Sequence, residues 1–230
     1  MLLPNTHVKE IARTLDGSGA IVEPLTLADA KNYLKVPSTI TADDALITDM
    51  ITAARILCEA EQSRTYVSTQ RLLTLDHFPP FDGWIAPVIF SILATGNAFA
   101  QGTGNWAAYA VWFPYPPLIS VDAISYVDFG GNTQALDPTP QGNRVIVQTG
   151  TPGLMTPVLG KIFPITKPQI GAVGITYTAG YGTTAAAAPS NVRMAMRYIV
   201  AQMYANRSTA FVVDDVIRSL LSATGSGFYG

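Results

Sequence analysis

The apolar positions of this chain change their period twice. Between Thr41 and Gln62, residues Leu46, Ile47, Met50, Ile51, Ala54, Leu57 and Cys58 recur at steps of one, three and four, a single stripe at helical period. Arg55, Glu59 and Gln62 fall off that stripe and are expected on the wet side. Thr41-Ala-Asp-Asp44 supplies an N-cap and two acids at the positive end of the helix. Upstream, Thr26 followed by Asp29 is a capping-box-like start. Ala28, Ala30, Lys31, Tyr33 and Leu34 carry a short helix from it toward Pro37, which stops it. From Gln70 to about Gly182 the period falls to two and turn residues become frequent. Leu73 with Leu75, Ile124 with Tyr126, Arg144-Val-Ile-Val-Gln and Ala172-Val-Gly-Ile-Thr-Tyr-Thr read as strands, and Tyr126-Val-Asp-Phe enters a Gly-Gly-Asn hairpin. Pro116, Pro117, Pro138, Pro152 and Pro157 predict strands that are short and partly at edges.

Helical period returns after Pro189-Ser190, where Val192, Ala195, Met196, Ile199, Val200 and Met203 form a second stripe with Arg193 and Arg197 on another face. A last short helix is expected from Asp214, burying Val216, Ile217, Leu220 and Leu221. The fold class is therefore α+β: a small bundle of N- and C-terminal helices with an inserted antiparallel β lobe. In residues, 1–22 read as a flexible leader ending in Asp16-Gly-Ser-Gly. Residues 23–208 form one domain, with helices at 26–36, 42–63 and 190–207 and the β lobe at 70–182. Residues 209–230 carry the short helix and a tail of small residues.

Composition narrows the function. The 230 residues hold 14 Lys and Arg against 16 Asp and Glu, a formal charge of −2, so the clustered basic excess of a nucleic-acid binder is absent. One cysteine rules out a disulfide scaffold. Charged residues are 13 % of the chain, about half of the usual quarter. So few charges predict a surface partly covered by other chains. The start, Met1-Leu-Leu-Pro-Asn, carries no secretory pattern, and the most apolar stretch, about 84–99, is broken by Pro87 and Gly96 and is shorter than the ~20 residues of a membrane span. A soluble, cytosolic chain is expected, with no membrane partner.

Residues for catalysis are few. His7 lies in the leader, and His77 follows the strand around Leu73, where a structural role is favoured. Asp76 beside it points to the opposite face if the strand continues. Cys58, on an apolar stripe, reads as a buried inert thiol. Asp43 with Asp44 reads as helix capping. No phosphate loop, nucleophile elbow or metal-ligand spacing is present, and Gly102-Thr-Gly104 lacks the third glycine and preceding strand of a dinucleotide site. No cofactor, metal or catalytic residue is assigned, and the chain is expected not to be an enzyme.

The strongest anomaly is a run without charge. From Gly83 to Val121 there is no charged residue, and Trp84, Trp106 and Trp112 all fall inside it. No Lys or Arg occurs between Arg71 and Arg144, whereas Asp76, Asp82, Asp122, Asp128 and Asp137 do. A buried β core and an inter-subunit arm both fit, since interface centres lose charge and gain aromatics. Trp84, Phe99, Trp106 and Trp112 are the candidate inter-subunit contacts. Deleting 95–105 is expected to leave a folded monomer that assembles poorly; an unfolded product would favour the core.

Several pieces in order resemble one family. They are Glu23-Pro-Leu-Thr-Leu-Ala-Asp-Ala-Lys-Asn-Tyr-Leu-Lys-Val, the acid-led helix from Asp44-Ala-Leu-Ile, and Leu73-Thr-Leu-Asp-His-Phe-Pro. Pro116-Pro-Leu-Ile-Ser-Val with Ile124-Ser-Tyr-Val-Asp, Ile175-Thr-Tyr-Thr-Ala-Gly-Tyr-Gly and Met203-Tyr-Ala-Asn-Arg207 complete the set. From about 23 to 207 the chain resembles the head–tail connector (adaptor, or head-completion) proteins of tailed bacteriophages, departing from them in the long uncharged stretch of about 83–113. The resemblance implies a non-enzymatic virion protein of the neck, made in the host cytoplasm. It implies a self-assembled ring, dodecameric in such proteins, under the portal vertex, joining the DNA-filled head to the stopper or tail. DNA would pass through the lumen without specific binding, which suits a slightly acidic chain. It also implies that 209–230 docks on the portal protein, with Phe211, Phe228 and Tyr229 as candidate anchors. Two alternatives remain at this point: a tail-completion or neck protein on the tail side, and a small hydrolase or ligand-binding domain using His77.

Overall fold

A computed structural model of the chain describes residues 6–14, 21–79, 110–139, 142, 144–158, 161–206 and 214–223. The chain divides into a β unit (Met1–Ile11, Gln70–Pro114 and Leu118–Thr178) and a helical unit (Ala12–Thr69, Tyr115–Pro117 and Ala179–Gly230).

The helical unit contains α1 (Leu27–Leu34), α2 (Asp44–Gln62), α3 (Ser190–Ala205) and α4 (Asp215–Ser222). Thr26 caps α1 by accepting the Asp29 N–H at 3.1 Å, as its sequence predicts. The end of α1 is set by Lys35 in the left-handed region (φ 61°), before Pro37 is reached. α2 packs on α1 and α3, and α3 on α4. Ile47, Ile51, Ala54 and Cys58 from α2 meet Val192, Ala195, Met196 and Ile199 from α3 in one core, closed by Ile217 and Leu221 of α4. The two apolar stripes of the sequence are thus the two faces of one interface.

Four expectations for these helices need correction. Arg55 and Gln62, expected on the wet side, are 4 % and 6 % exposed, and Glu59 is half-buried. Polar partners make that burial tolerable. Arg55 donates to Glu23 Oε2 and Glu59 Oε2, each at 2.8 Å, and Arg13 donates to Glu59 Oε1 at 3.2 Å. Gln62 donates its amide to the Leu221 carbonyl, and Tyr66 Oη lies 2.7 Å from Gln62 Oε1. Leu46, placed in the buried stripe, is 37 % exposed at the first turn of α2, and Val216 of α4 is 51 % exposed. Asp43 holds the N-cap position of α2 without a side-chain cap bond; its carboxylate accepts the Tyr204 hydroxyl at 2.6 Å. Asp44 instead pairs with the buried Lys31 at 2.6 Å, whose ammonium also donates to the Ile40 carbonyl and so ties down the α1–α2 loop.

The β unit is built on a five-stranded sheet and a three-stranded sheet. The first has the order β1-β2-β8-β4-β5, from β1 (His7–Arg13), β2 (Thr69–Leu75), β4 (Leu118–Val127), β5 (Thr133–Leu136) and β8 (Val173–Ala179). The second is β3-β7-β6, from β3 (Val111–Phe113), β6 (Val145–Gln148) and β7 (Gly153–Pro157). Every residue pair of β4 with β5, of β3 with β7 and of β6 with β7 is antiparallel. β2 and β8 alternate buried and half-buried along their whole length, the period-two signal seen in the sequence. His7–Arg13, which lie in the part read as leader, form an edge strand instead. β7 is a central strand that its flanking prolines hide. Pro157 closes it opposite Val145, while β3 pairs only with Gly153–Met155, so the missing N–H breaks no bond on that side. Phe113 tilts onto Tyr177 at 5.1 Å between ring centres, and the Tyr177 hydroxyl donates to the Pro114 carbonyl at 2.9 Å.

Candidate functional site

The C-terminal end of the uncharged run is β core. Val111, Phe113 and Leu118 are 2 % exposed each, and Trp112 is a half-buried member of β3 opposite Leu154. Of the four candidate inter-subunit aromatics, Trp112 is the one described, half-buried and alternating in β3 with the buried Val111 and Phe113. Trp84, Phe99 and Trp106 lie outside the described residues, as do the candidate docking residues Phe211, Phe228 and Tyr229.

The described surface has an apolar region that sequence reading missed. The β4–β5 hairpin carries Phe129 at its tip, 69 % exposed. The tip is firmly built: Asp128 Oδ1 accepts the Asn132 N–H at 2.9 Å, Asp128 Oδ2 accepts Gln134 Nε2 at 2.8 Å, and Gly131 takes φ +87°. These bonds, the one from Gln134 first, hold the Asp128 carboxyl below the usual carboxylate range. Beside the tip runs the segment 161–170. Thr166 bridges Asp128, and the Lys167 N–H donates to the Val127 carbonyl at 3.0 Å. Phe163 turns inward and stacks on Phe78 at 4.7 Å. Ile162, Ile165 and Ile170 turn outward, 45 %, 58 % and 85 % exposed. In the sequence this is Lys161-Ile-Phe-Pro-Ile-Thr-Lys-Pro-Gln-Ile170, apolar residues broken by two prolines that match neither strand nor helix period.

A cleft of about 310 Å³ opens there, lined by Asp76, His77, Thr166, Pro168, Gln169 and Ile170. It holds the histidine weighed for catalysis. His77 Nδ1 lies 3.0 Å from the carbonyl of Phe78, and Asp76 Oδ1 accepts the Gly171 N–H at 2.8 Å, so both are engaged with backbone and serve to shape the loop. Cys58 sits in the helical core, and burial, aided by the charges of Glu59 and Glu61, pushes its thiol up to about 12. Such a thiol supplies no thiolate near neutral pH. Among the described residues, no group of three or more His, Cys, Asp and Glu is placed to hold a metal ion, and no helix is long and apolar enough to cross a membrane. What the described surface offers is contact area: rigid backbone presenting large apolar side chains to water.

No protein-family model matches this chain, and no curated protein does. Solved structures do share its fold. A chain from the neck of an empty gene transfer agent (GTA) particle, computed with C6 symmetry, superposes with a TM-score of 0.66 at 18 % identity, over 94 % of each chain. A chain from the virion of a native GTA particle gives 0.65 at 19 % identity, over 94 % of this chain and 93 % of that one. A chain from the neck of a native GTA particle, computed with C12 symmetry, gives 0.63 at 17 % identity with the same coverage. Nearly end to end, the fold of this protein is the fold of those neck and virion chains.

Proposed function

We propose that this protein is a structural component of the neck of a phage-like particle. It forms a ring, dodecameric in the expected case, that joins the DNA-filled head under its portal to the stopper or tail. The observation that carries this reading is the fold shared with neck chains over 94 % of both lengths. Those neck structures have C6 and C12 symmetry, the closed symmetry a ring requires. The order of sequence pieces from Glu23 to Arg207 supports the same reading independently of the coordinates. So do the low charge of the chain and the exposed apolar side chains of the β unit. A formal charge of −2 gives a ring little hold on the phosphate backbone, as suits a lumen that passes DNA. Residues 209–230 are the docking arm for the portal, with Phe211, Phe228 and Tyr229 as anchors.

Light scattering of the purified full-length chain over a wide concentration range tests the ring, and negative-stain images show its symmetry. One large species of about twelve subunits is expected. A chain that stays monomeric at every concentration, and also after mixing with its portal protein, would overturn the reading.

A further inference from the structure

We propose that the exposed apolar surface of the β unit around Ile165, Ile170 and Phe129 is the seat for residues 80–109 of a neighbouring copy of this chain. The inference rests on the ring reading and adds which surface receives this segment, whose one charged residue is Asp82. Three observations converge on it.

The first is the surface itself. Phe129, Ile165 and Ile170 are 69 %, 58 % and 85 % exposed on backbone that is pinned. Asp128 closes the hairpin tip, Lys167 and Val127 are hydrogen-bonded, and Val127 in turn donates to the Ala172 carbonyl at 2.8 Å. Single exposed apolar residues are ordinary, but Phe129 and Ile165 flank the Asp128–Thr166 bridge and Ile170 follows on the same segment, and apolar side chains grouped on hydrogen-bonded backbone mark a contact surface. The second is the cleft. Its volume of about 310 Å³ accepts one aromatic side chain, and the Asp76 carboxylate at its wall already has the Gly171 N–H as donor. Pro168 and Ile170 supply the apolar part of that wall. The third is the segment. Residues 83–121 form the longest uncharged stretch of the chain, with Trp84, Phe90, Phe99 and Trp106 inside 80–109. That segment leaves the described structure at Pro79, two residues after His77, which lines the cleft. A closed ring needs every copy both to give and to take, because its contacts are head-to-tail. The pinned surface is the taking half and residues 80–109 the giving half.

The test uses the full-length chain with a benzophenone side chain placed at position 170, assembled with an excess of 15N-labelled unmodified chain. After irradiation and digestion, the peptide containing position 170 is expected joined to a 15N peptide from 80–109. A join to unlabelled 80–109 alone means that the segment covers its own unit, and overturns the proposal. Joins elsewhere, or none, in rings whose mass by light scattering is unchanged also overturn it while leaving the ring reading standing. A chain monomeric throughout overturns both. As a second measurement, Ile170→Asp changes a side chain that is 85 % exposed, so the thermal transition should be kept. The variant is expected to lose the ring at concentrations where the unmodified chain is fully assembled; an unchanged ring counts against the seat.

Discussion

Arg55 shows what residue-level reading does and does not recover. Its place off the apolar stripe of α2 is visible in the sequence, and from there a wet position follows by the ordinary rule that charge seeks water. The structure buries it because Glu23, thirty-two residues away, and Glu59, one turn on, meet its guanidinium. A partner that far along the chain leaves no local signal. Removing one side of such a buried pair strands the other charge, so Arg55→Ala is expected to cost about 3–5 kcal/mol in chemical denaturation. Replacement by a hydrophobe together with neutralisation of Glu23 and Glu59 should cost much less. Cys58 is the opposite case, where the apolar stripe alone places the side chain correctly. With its thiol raised to about 12, chiefly by burial, it should resist maleimide at pH 8 for as long as the chain is folded and react fully in denaturant. The raised value also fixes a sign. The folded state favours the protonated thiol, so this contribution is intact below about pH 9 and is lost as pH climbs toward 12.

At the scale of elements, helices were legible and strands only in part. Capping and period three-to-four place α1, α2 and α3 within a few residues, because both signals are local. β1, β3 and β7 escape, because the first lies in a weakly patterned stretch, the second is three residues inside the uncharged run and the third is hidden between Pro152 and Pro157. What defines β7 is an approach that only the folded chain shows. A Cβ added at Gly153 would overlap the side chain of Leu118, so no larger residue fits without moving the strand. Gly153→Ala is expected to destabilise by roughly 1–3 kcal/mol, read from the denaturation midpoint, as overpacking does. α4 depends on its cap. Asp214 Oδ1 accepts the Ile217 N–H at 2.9 Å, and that backbone bond, ahead of the one from Gln202, lowers its carboxyl. Because the folded value is depressed, the stabilisation is present above the ordinary Asp range and disappears as pH falls through the lowered one. Asp214→Asn should therefore flatten the acid limb of the stability–pH curve while preserving a cap at neutral pH.

For the whole molecule, the order helix, helix, sheet, helix, helix was legible from changes of period, and the α+β class follows from it. The exposed apolar surface was not, because Ile162, Ile165 and Ile170 are exposed by the path of one proline-broken segment that no period describes. Where the chain may be cut is also decided only by the fold. The arm proposed to dock on the portal, 209–230, includes α4, and a cut directly after Leu221 looks harmless in the sequence. Yet Leu221 is 2 % exposed, and its carbonyl receives the amide of Gln62, itself tied to Tyr66 in the helical core. A terminal carboxylate there would put a charge into that core and unfold α4 together with removing the tail. Ending the chain at Ala223, one residue beyond the last residue of α4, spares the network. This shorter chain is expected to keep the thermal midpoint of the full chain and to lose co-sedimentation with portal protein. Retained binding with an unchanged midpoint would remove Phe228 and Tyr229 as anchors and leave Phe211 as the remaining candidate.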